Sequence, residues 1–308
     1  MSTFAIIMST YNGHQYITQQ IQSILAQTYR DFTLFVRDDG SSDDTFQILK
    51  DFASNDSRIH LVKDNPSSPN PNLGFGESFS RASKYALSQG EFSFFAFCDQ
   101  DDYWEPEKLQ VTFENISGMT EPALFSSNFY VCDSALNILH TFSKTTPLTG
   151  VTFENLIFEG ALPGFSITIN RPLAVLAFDN EKASKIYYHD KWVHLIQLGL
   201  GGSVIYSDKP LAKYRRHSDA ISSTNRGPLA KLKWRVDNVL NGDYCPRTRD
   251  MIYSYKELFF DKLPEEGQRF LRVFTSGSRL RKVFYPHRLR RSISGEILLR
   301  LIFILGKL

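Results

Sequence analysis

Blocks of apolar and polar positions alternate along the first hundred residues. Residues 4–8 (FAIIM) are apolar without interruption, which predicts a strand buried on both faces. The polar STYNG, residues 9–13, follows, and then a stretch over 15–27 with Tyr16, Ile17, Ile21, Ile24 and Leu25 at helical spacing. The pattern repeats: a strand over 32–36 ends in RDDGSSDD, and Phe46, Ile48, Leu49 and Phe52 mark a helix over 45–55. A short strand over 59–62, a loop over 64–76 with three prolines, and a helix over 77–89 lead to a second apolar run, residues 92–98. Gly74-Phe75-Gly76 lacks the third glycine of a dinucleotide fingerprint and follows no first strand, so that reading is set aside. Strand–helix alternation of this kind predicts a doubly wound, mostly parallel central sheet, an α/β fold.

After residue 110 the rhythm changes. Strands are expected over 123–131, 165–169 and 203–206, with an edge segment over 209–217 and a helix over 153–158. Another helix carries YYHDKW at its start. These pieces hold too few buried strands to stand alone, so 1–225 is expected to be one domain. From residue 226 the pattern is helical. Over 293–308, Ile293, Ile297, Leu298, Leu301, Ile302 and Leu305 share a broad face among Arg290, Arg291, Arg300 and Lys307. Two readings fit: an interfacial helix on a membrane, or a terminal helix packed on the core with a solvated back.

Charge sharpens this division. The 308 residues carry a net charge of only +2, but residues 1–225 hold 17 Lys and Arg against 25 Asp and Glu, and residues 226–308 hold 18 against 8. The extension is therefore a basic helical module that seeks phosphate, on nucleic acid or on an anionic membrane. The charges are not interleaved with stacking aromatics, which argues against nucleic acid. Cys98, Cys132 and Cys245 form no CxxC pair, so neither a disulfide framework nor a structural zinc is expected. No apolar run reaches the roughly 20 residues of a membrane span, and residues 1–13 do not read as a signal peptide.

The candidate chemistry sits in FSFFAFCDQDDYWEPEKL, residues 92–109. An apolar strand ends in Asp99, Asp101 and Asp102. Like charges this close repel, and in a folded protein they usually need a cation. Strand carboxyl ends are also where open α/β sheets bind ligands. A divalent metal holding a diphosphate and a solvated acidic turn both remain open on these residues alone.

Four pieces stand in one order: STYNG, DDGSSDDT (38–45), DQDD (99–102), and HDKW (189–192) with YRRH (214–217). Together they resemble the inverting family 2 glycosyltransferases of GT-A fold, nearest to rhamnosyltransferase-like members of bacterial cell-surface polysaccharide synthesis. The resemblance covers roughly residues 4 to 218. It implies that Thr10, Tyr11 and Asn12 with Asp38 or Asp39 hold the nucleotide, a carboxylate accepting the pyrimidine imide N–H. It places Asp99 at the ribose, and Asp101 with His217 at Mg²⁺ or Mn²⁺ bridging the phosphates. Asp102, Trp104, Arg215, His189 and Trp192 would line the diphosphate or acceptor, with Gly160 and Gly164 in an acceptor loop where small residues admit a sugar. Asp190 matches the catalytic base, whose local alternative is an N-cap; Asp43 or Asp44 is expected to cap the helix at Thr45.

What the resemblance implies is a metal-dependent transfer of L-rhamnose from dTDP-L-rhamnose to a lipid-linked glycan, peripheral at the cytoplasmic face of the membrane, with homo-oligomerisation open. A UDP-hexose donor and a non-catalytic nucleotide-binding scaffold are the alternatives. The family's polymerising members carry QxxRW and membrane spans. This chain has neither, so one to a few additions are expected.

Overall fold

Strands β1 (Phe4–Thr10), β2 (Phe32–Asp38) and β4 (Phe94–Cys98) bury nearly every residue, as their unbroken apolar runs require. They pair in parallel with a shorter β3 (Ile59–Leu61) in the order β3–β2–β1–β4. Helices α1 (Ile17–Leu25), α2 (Thr45–Asn55) and α3 (Phe75–Gln89) join them. The computed structural model describes residues 3–65, 67–142, 151–160, 162–179, 187–217 and 242–308.

The second half of the sheet is mixed. β5 (Tyr103–Trp104), α4 (Lys108–Ile116), β6 (Ala123–Cys132) and β7 (Ile138–Thr141) follow β4, and α5 (Phe153–Phe158) comes next. β8 (Ile167–Asn170), α6 (Arg171–Phe178), α7 (His189–Gly199) and β9 (Ser203–Arg215) complete this part. β8 runs antiparallel between β4 and β6, β9 pairs in parallel with β6, and β5 lies antiparallel against β9. The fold is thus the expected α/β class, wholly parallel over β1 to β4 and mixed after them.

Several boundaries differ from expectation for identifiable reasons. The pieces expected over 203–206 and 209–217 are one strand, because Pro210, which cannot donate to a ladder, sits opposite Asn128 where the register shifts. The strand expected over 165–169 begins as a 3₁₀ turn, Gly164–Ser166, closed by the Ser166 hydroxyl on the Pro163 carbonyl. Helix α6 was not foreseen, although Asn170 caps it from its side chain and Pro172 follows in the first turn. The chain from 218 to 241, which holds the expected boundary at 225, lies outside the described residues.

The chain divides into two compact units. The first spans 1–146, 162–197 and 201–216; the second spans 147–161, 198–200 and 217–308. In the first, Phe4, Ile6, Met8, Leu34, Val36 and Phe125 belong to one apolar core. The second contains α5 with α8 (Tyr244–Phe259), α9 (Glu265–Ser276), α10 (Arg279–Val283) and α11 (Ile293–Ile304), and its core is aromatic. Phe158, Phe274 and Phe303 meet pairwise at ring distances of 5.3 to 5.7 Å. Among the described residues no helix is long and apolar enough to cross a membrane.

Candidate active site

Register decides where the polar segments emerge. Thr10 pairs with Asp38, and Met8 with Cys98, so the loops after β1, β2 and β4 leave the sheet on one edge. Strand order reverses direction between β1 and β4, and open α/β sheets bind their ligands at such a switch point.

The loop after β1 is braced from both sides. Gln100 reads the Tyr11 backbone in both directions: its Oε1 accepts from the Tyr11 N–H at 2.9 Å, and its Nε2 donates to the Tyr11 carbonyl at 3.1 Å. A Cβ on Gly13 would stand 2.3 Å from that Oε1, so glycine is what lets the two loops close together. Asn12 adopts a left-handed φ of 48° and accepts from the Ser42 N–H at 2.8 Å, and the Gly13 N–H donates to Thr45 Oγ1. Tyr11 remains half exposed.

In the loop after β2, Asp38 accepts from the Thr10 hydroxyl at 3.0 Å and from the Ser41 N–H and hydroxyl. Asp39 accepts from the Leu73 and Gly74 N–H groups and from the buried Arg37 guanidinium. Arg37 also donates to Asp64 at 2.8 Å, tying β2 to the loop before α3. Asp43 accepts from the Thr45 N–H at the start of α2. Burial works against its charge, but bonds from Thr45 and His14 outweigh it and hold the carboxyl down at about 2.

The acidic turn after β4 concentrates negative charge. Burial, then the charges of Asp101 and Asp190, push Asp99 up to about 7. Burial and its two acidic neighbours hold Asp102 well above the carboxylate range. Asp102 Oδ1 accepts the Arg215 N–H at 3.1 Å, while its Oδ2 is buried with no hydrogen-bond partner among the described residues. Behind the turn lies Lys108, buried, with Nζ 3.2 Å from the Phe165 carbonyl and its pKa pulled down to about 8 by burial.

Asp190 enters in the first turn of α7, where it accepts the Lys191 N–H at 2.7 Å, the local bond of a helix start. Burial raises its pKa, and its charge in turn contributes to raising that of Asp99, so the two carboxylates lie within electrostatic reach of each other. His189 beside it is buried and stacked on Phe79 at 3.9 Å between ring centres. Burial pulls its pKa down to about 3, so it is a neutral ring at physiological pH. A Cβ on Gly164 would meet its Nε2 at 2.7 Å, which ties glycine here to the histidine's seat.

Three residues expected to line the diphosphate or acceptor are buried in the protein. Trp104 is fully buried beneath the Lys108 ammonium, 4.9 Å from its ring. Trp192 is equally buried, with Nε1 donating to the Ala177 carbonyl at 3.1 Å. Both are core residues. Arg215 is 2% exposed; its guanidinium donates to the Asp101 and Ser134 carbonyls and to Gln19, and stacks on Tyr16 at 4.5 Å. These bonds hold the acidic turn. Gly160 and His217 belong to the second unit.

A divalent cation fits the donor set. Asp99, Asp101 and Asp102 are hard oxygen donors in excess of local positive charge, and Asp102 Oδ2 is buried without a hydrogen bond. Among the described residues no three His, Cys, Asp or Glu side chains converge to enclose an ion by themselves. Asp99, Asp101 and Asp102 are the residues that would hold a cation here, and it would supply charge neutralisation. Sequence reasoning missed Gln100, Arg37 and Lys108; only the glycine at 13 hinted that something approaches closely.

Comparison with known proteins places the chain among relatives. Residues 5–159 match the family described as Glycosyl transferase family 2. The chain is 36% identical over 250 residues to UDP-Glc:alpha-D-GlcNAc-diphosphoundecaprenol beta-1,3-glucosyltransferase WfgD of Escherichia coli, covering 81% of this chain and 89% of that one. It is 27% identical over 234 residues to dTDP-rhamnosyl transferase RfbG of Shigella flexneri, covering 73% and 77%. In fold it is similar to residues 1–349 of TarS from S. aureus solved with UDP-GlcNAc, with a TM-score of 0.55, 19% identity, and coverage of 100% of this chain and 92% of that one.

Proposed function

This chain belongs to glycosyl transferase family 2, and on that premise we propose that it transfers one sugar from a pyrimidine nucleotide diphosphosugar, with inversion, to a lipid-linked glycan of surface-polysaccharide synthesis. The observation that carries the reading is the acidic turn at the carboxyl end of β4, close enough to Asp190 that the charge of Asp190 helps raise the Asp99 carboxyl. An inverting transfer is a single in-line displacement. The acceptor oxygen bonds to the anomeric carbon, the carbon–oxygen bond to the diphosphate breaks, and the acceptor's proton passes to a carboxylate. Asp190 is the group assigned to take that proton. Thr10, Tyr11, Asn12 and the Asp38–Asp39 pair are assigned to the nucleotide, Asp99 to the ribose and Asp101 to the cation. When bound, Mg²⁺ or Mn²⁺ would neutralise the departing diphosphate.

The acceptor class is drawn from the diphosphoundecaprenol substrate in the name of the E. coli relative, and a lipid-linked acceptor of that class supports a reaction at the inner membrane face. For the donor, the Shigella relative supports dTDP-L-rhamnose and the E. coli relative supports UDP-glucose. The test is a panel of dTDP-L-rhamnose, UDP-glucose and UDP-GlcNAc with Mn²⁺ and a GlcNAc-diphospholipid acceptor, following nucleotide release and product mass. One donor should be consumed with acceptor elongation. Asp190→Asn should keep donor binding and lower turnover by about two to four orders of magnitude. If no donor is consumed, or if Asp190→Asn keeps its rate, the proposal fails.

A further inference from the structure

Helix α11 is apolar on both sides. Leu299, Ile302 and Phe303 point inward, Phe303 against Phe158 and Phe274. Yet Ile293, Ile297, Leu301, Ile304 and Leu305 are 48 to 71% exposed, at spacings of three, four and one that keep them on one face. A packed terminal helix has a solvated polar back, and this one does not. Nearby in sequence, Leu280 in the first turn of α10 and Phe284 at its C-cap are 68% and 76% exposed, one turn apart. Arg300 fixes the two helices to each other: its guanidinium donates to the Lys282, Val283 and His287 carbonyls and pairs with Glu296. A groove of about 490 Å³ is lined by Leu280 and Phe284 together with Val273, Arg269 and Arg281.

Charge chooses among occupants. Residues 279–308 hold eight Lys and Arg against one Glu. Arg279, Arg281 and Arg288 are exposed and have no carboxylate partner among the described residues. A second copy would set this positive surface against its own kind, which repels. We infer that the outer face of α10 and α11 is a membrane foot, with the apolar stripe seated among acyl chains and the arginines on anionic phospholipid headgroups. α11 has 12 residues, about 18 Å of helix, far short of a bilayer core, so it lies in the interface plane. The location suits the lipid-linked acceptor proposed above but is argued without it.

The full chain should co-sediment with phosphatidylglycerol–phosphatidylcholine vesicles, weaken as salt rises, and ignore pure phosphatidylcholine. The triple variant Phe284→Ser/Ile297→Ser/Leu301→Ser should lose vesicle affinity at least about tenfold with an unchanged melting temperature, because the side chains it truncates are exposed. Arg279→Glu/Arg281→Glu removes no apolar contact and should weaken binding at least about twentyfold, since each surface charge is worth about fivefold. Donor hydrolysis, measured without vesicles, should be unchanged in both, so its failure would tell against the transfer reading and leave the foot standing. Wild-type protein that stays in solution with anionic vesicles would overturn the inference. So would a dimer that the triple variant dissolves while vesicle binding persists.

Discussion

At the scale of single residues, the site depends on atoms that have nothing to do with charge. Gly13 lets Gln100 reach the Tyr11 backbone, and those two bonds join the loop after β1 to the acidic turn. Gly13→Ala should push the amide aside and weaken nucleotide binding about tenfold, the worth of one or two partly exposed hydrogen bonds, with little change in melting temperature. Titration of nucleotide into the single and double variants checks it: in a Gln100→Ala background the alanine at 13 should cost almost nothing, because the partner it displaces is gone. Asp190 supports a second expectation. Burial raises its pKa, so if it is the base, the acid limb of turnover should fall off at a higher pH than for an exposed aspartate. A turnover profile flat down to pH 4 would remove it from that role.

At the scale of elements, Arg37 fastens β2 to the loop before α3 through Asp39 and Asp64. Burial alone would raise the Asp64 pKa, but Arg37 and then Arg81 bring it below its ordinary value. A carboxylate depressed in this way stabilises the fold above the ordinary aspartate range and loses that contribution as pH falls through its folded pKa. Asp64→Asn should therefore destabilise by about 1–3 kcal/mol near neutrality, and the gap from wild type should close in strong acid, as urea melts at several pH values will show. The long apolar runs made β1, β2 and β4 legible in the sequence, since burial on both faces leaves few alternatives. β5 and β7 were not legible: two residues carry no period, and Ile138–Thr141 is exposed throughout. β9 reads in the sequence as two pieces because Pro210 resembles a strand end, whereas a register shift accommodates it.

At the scale of the molecule, the acidic loops leave one edge of the sheet, as the order of strands and polar segments in the sequence predicts. That order is not enough to tell which aromatic or basic neighbours face outward. Trp104, Trp192 and Arg215 are residue types that bind sugars and phosphates, but types do not reveal direction, and these three point into the protein. For the metal, Asp101→Ala should abolish transfer and Mn²⁺-dependent nucleotide binding while preserving the far-ultraviolet circular dichroism spectrum. Near-normal turnover of that variant in EDTA would count decisively against a cation at the turn.

The clamp of Arg215 on the acidic turn also has a consequence in time. The turn is made early in translation, but the guanidinium that holds the Asp101 carbonyl, and the N–H that meets Asp102, arrive more than a hundred residues later. A nascent chain can therefore lay down β1 to β4 while its site is still unfastened. Ribosome-arrested chains ending near residue 200 should resist protease over the first hundred residues yet fail to retain nucleotide. Chains long enough for residue 215 to clear the exit tunnel should gain that ability in a single step.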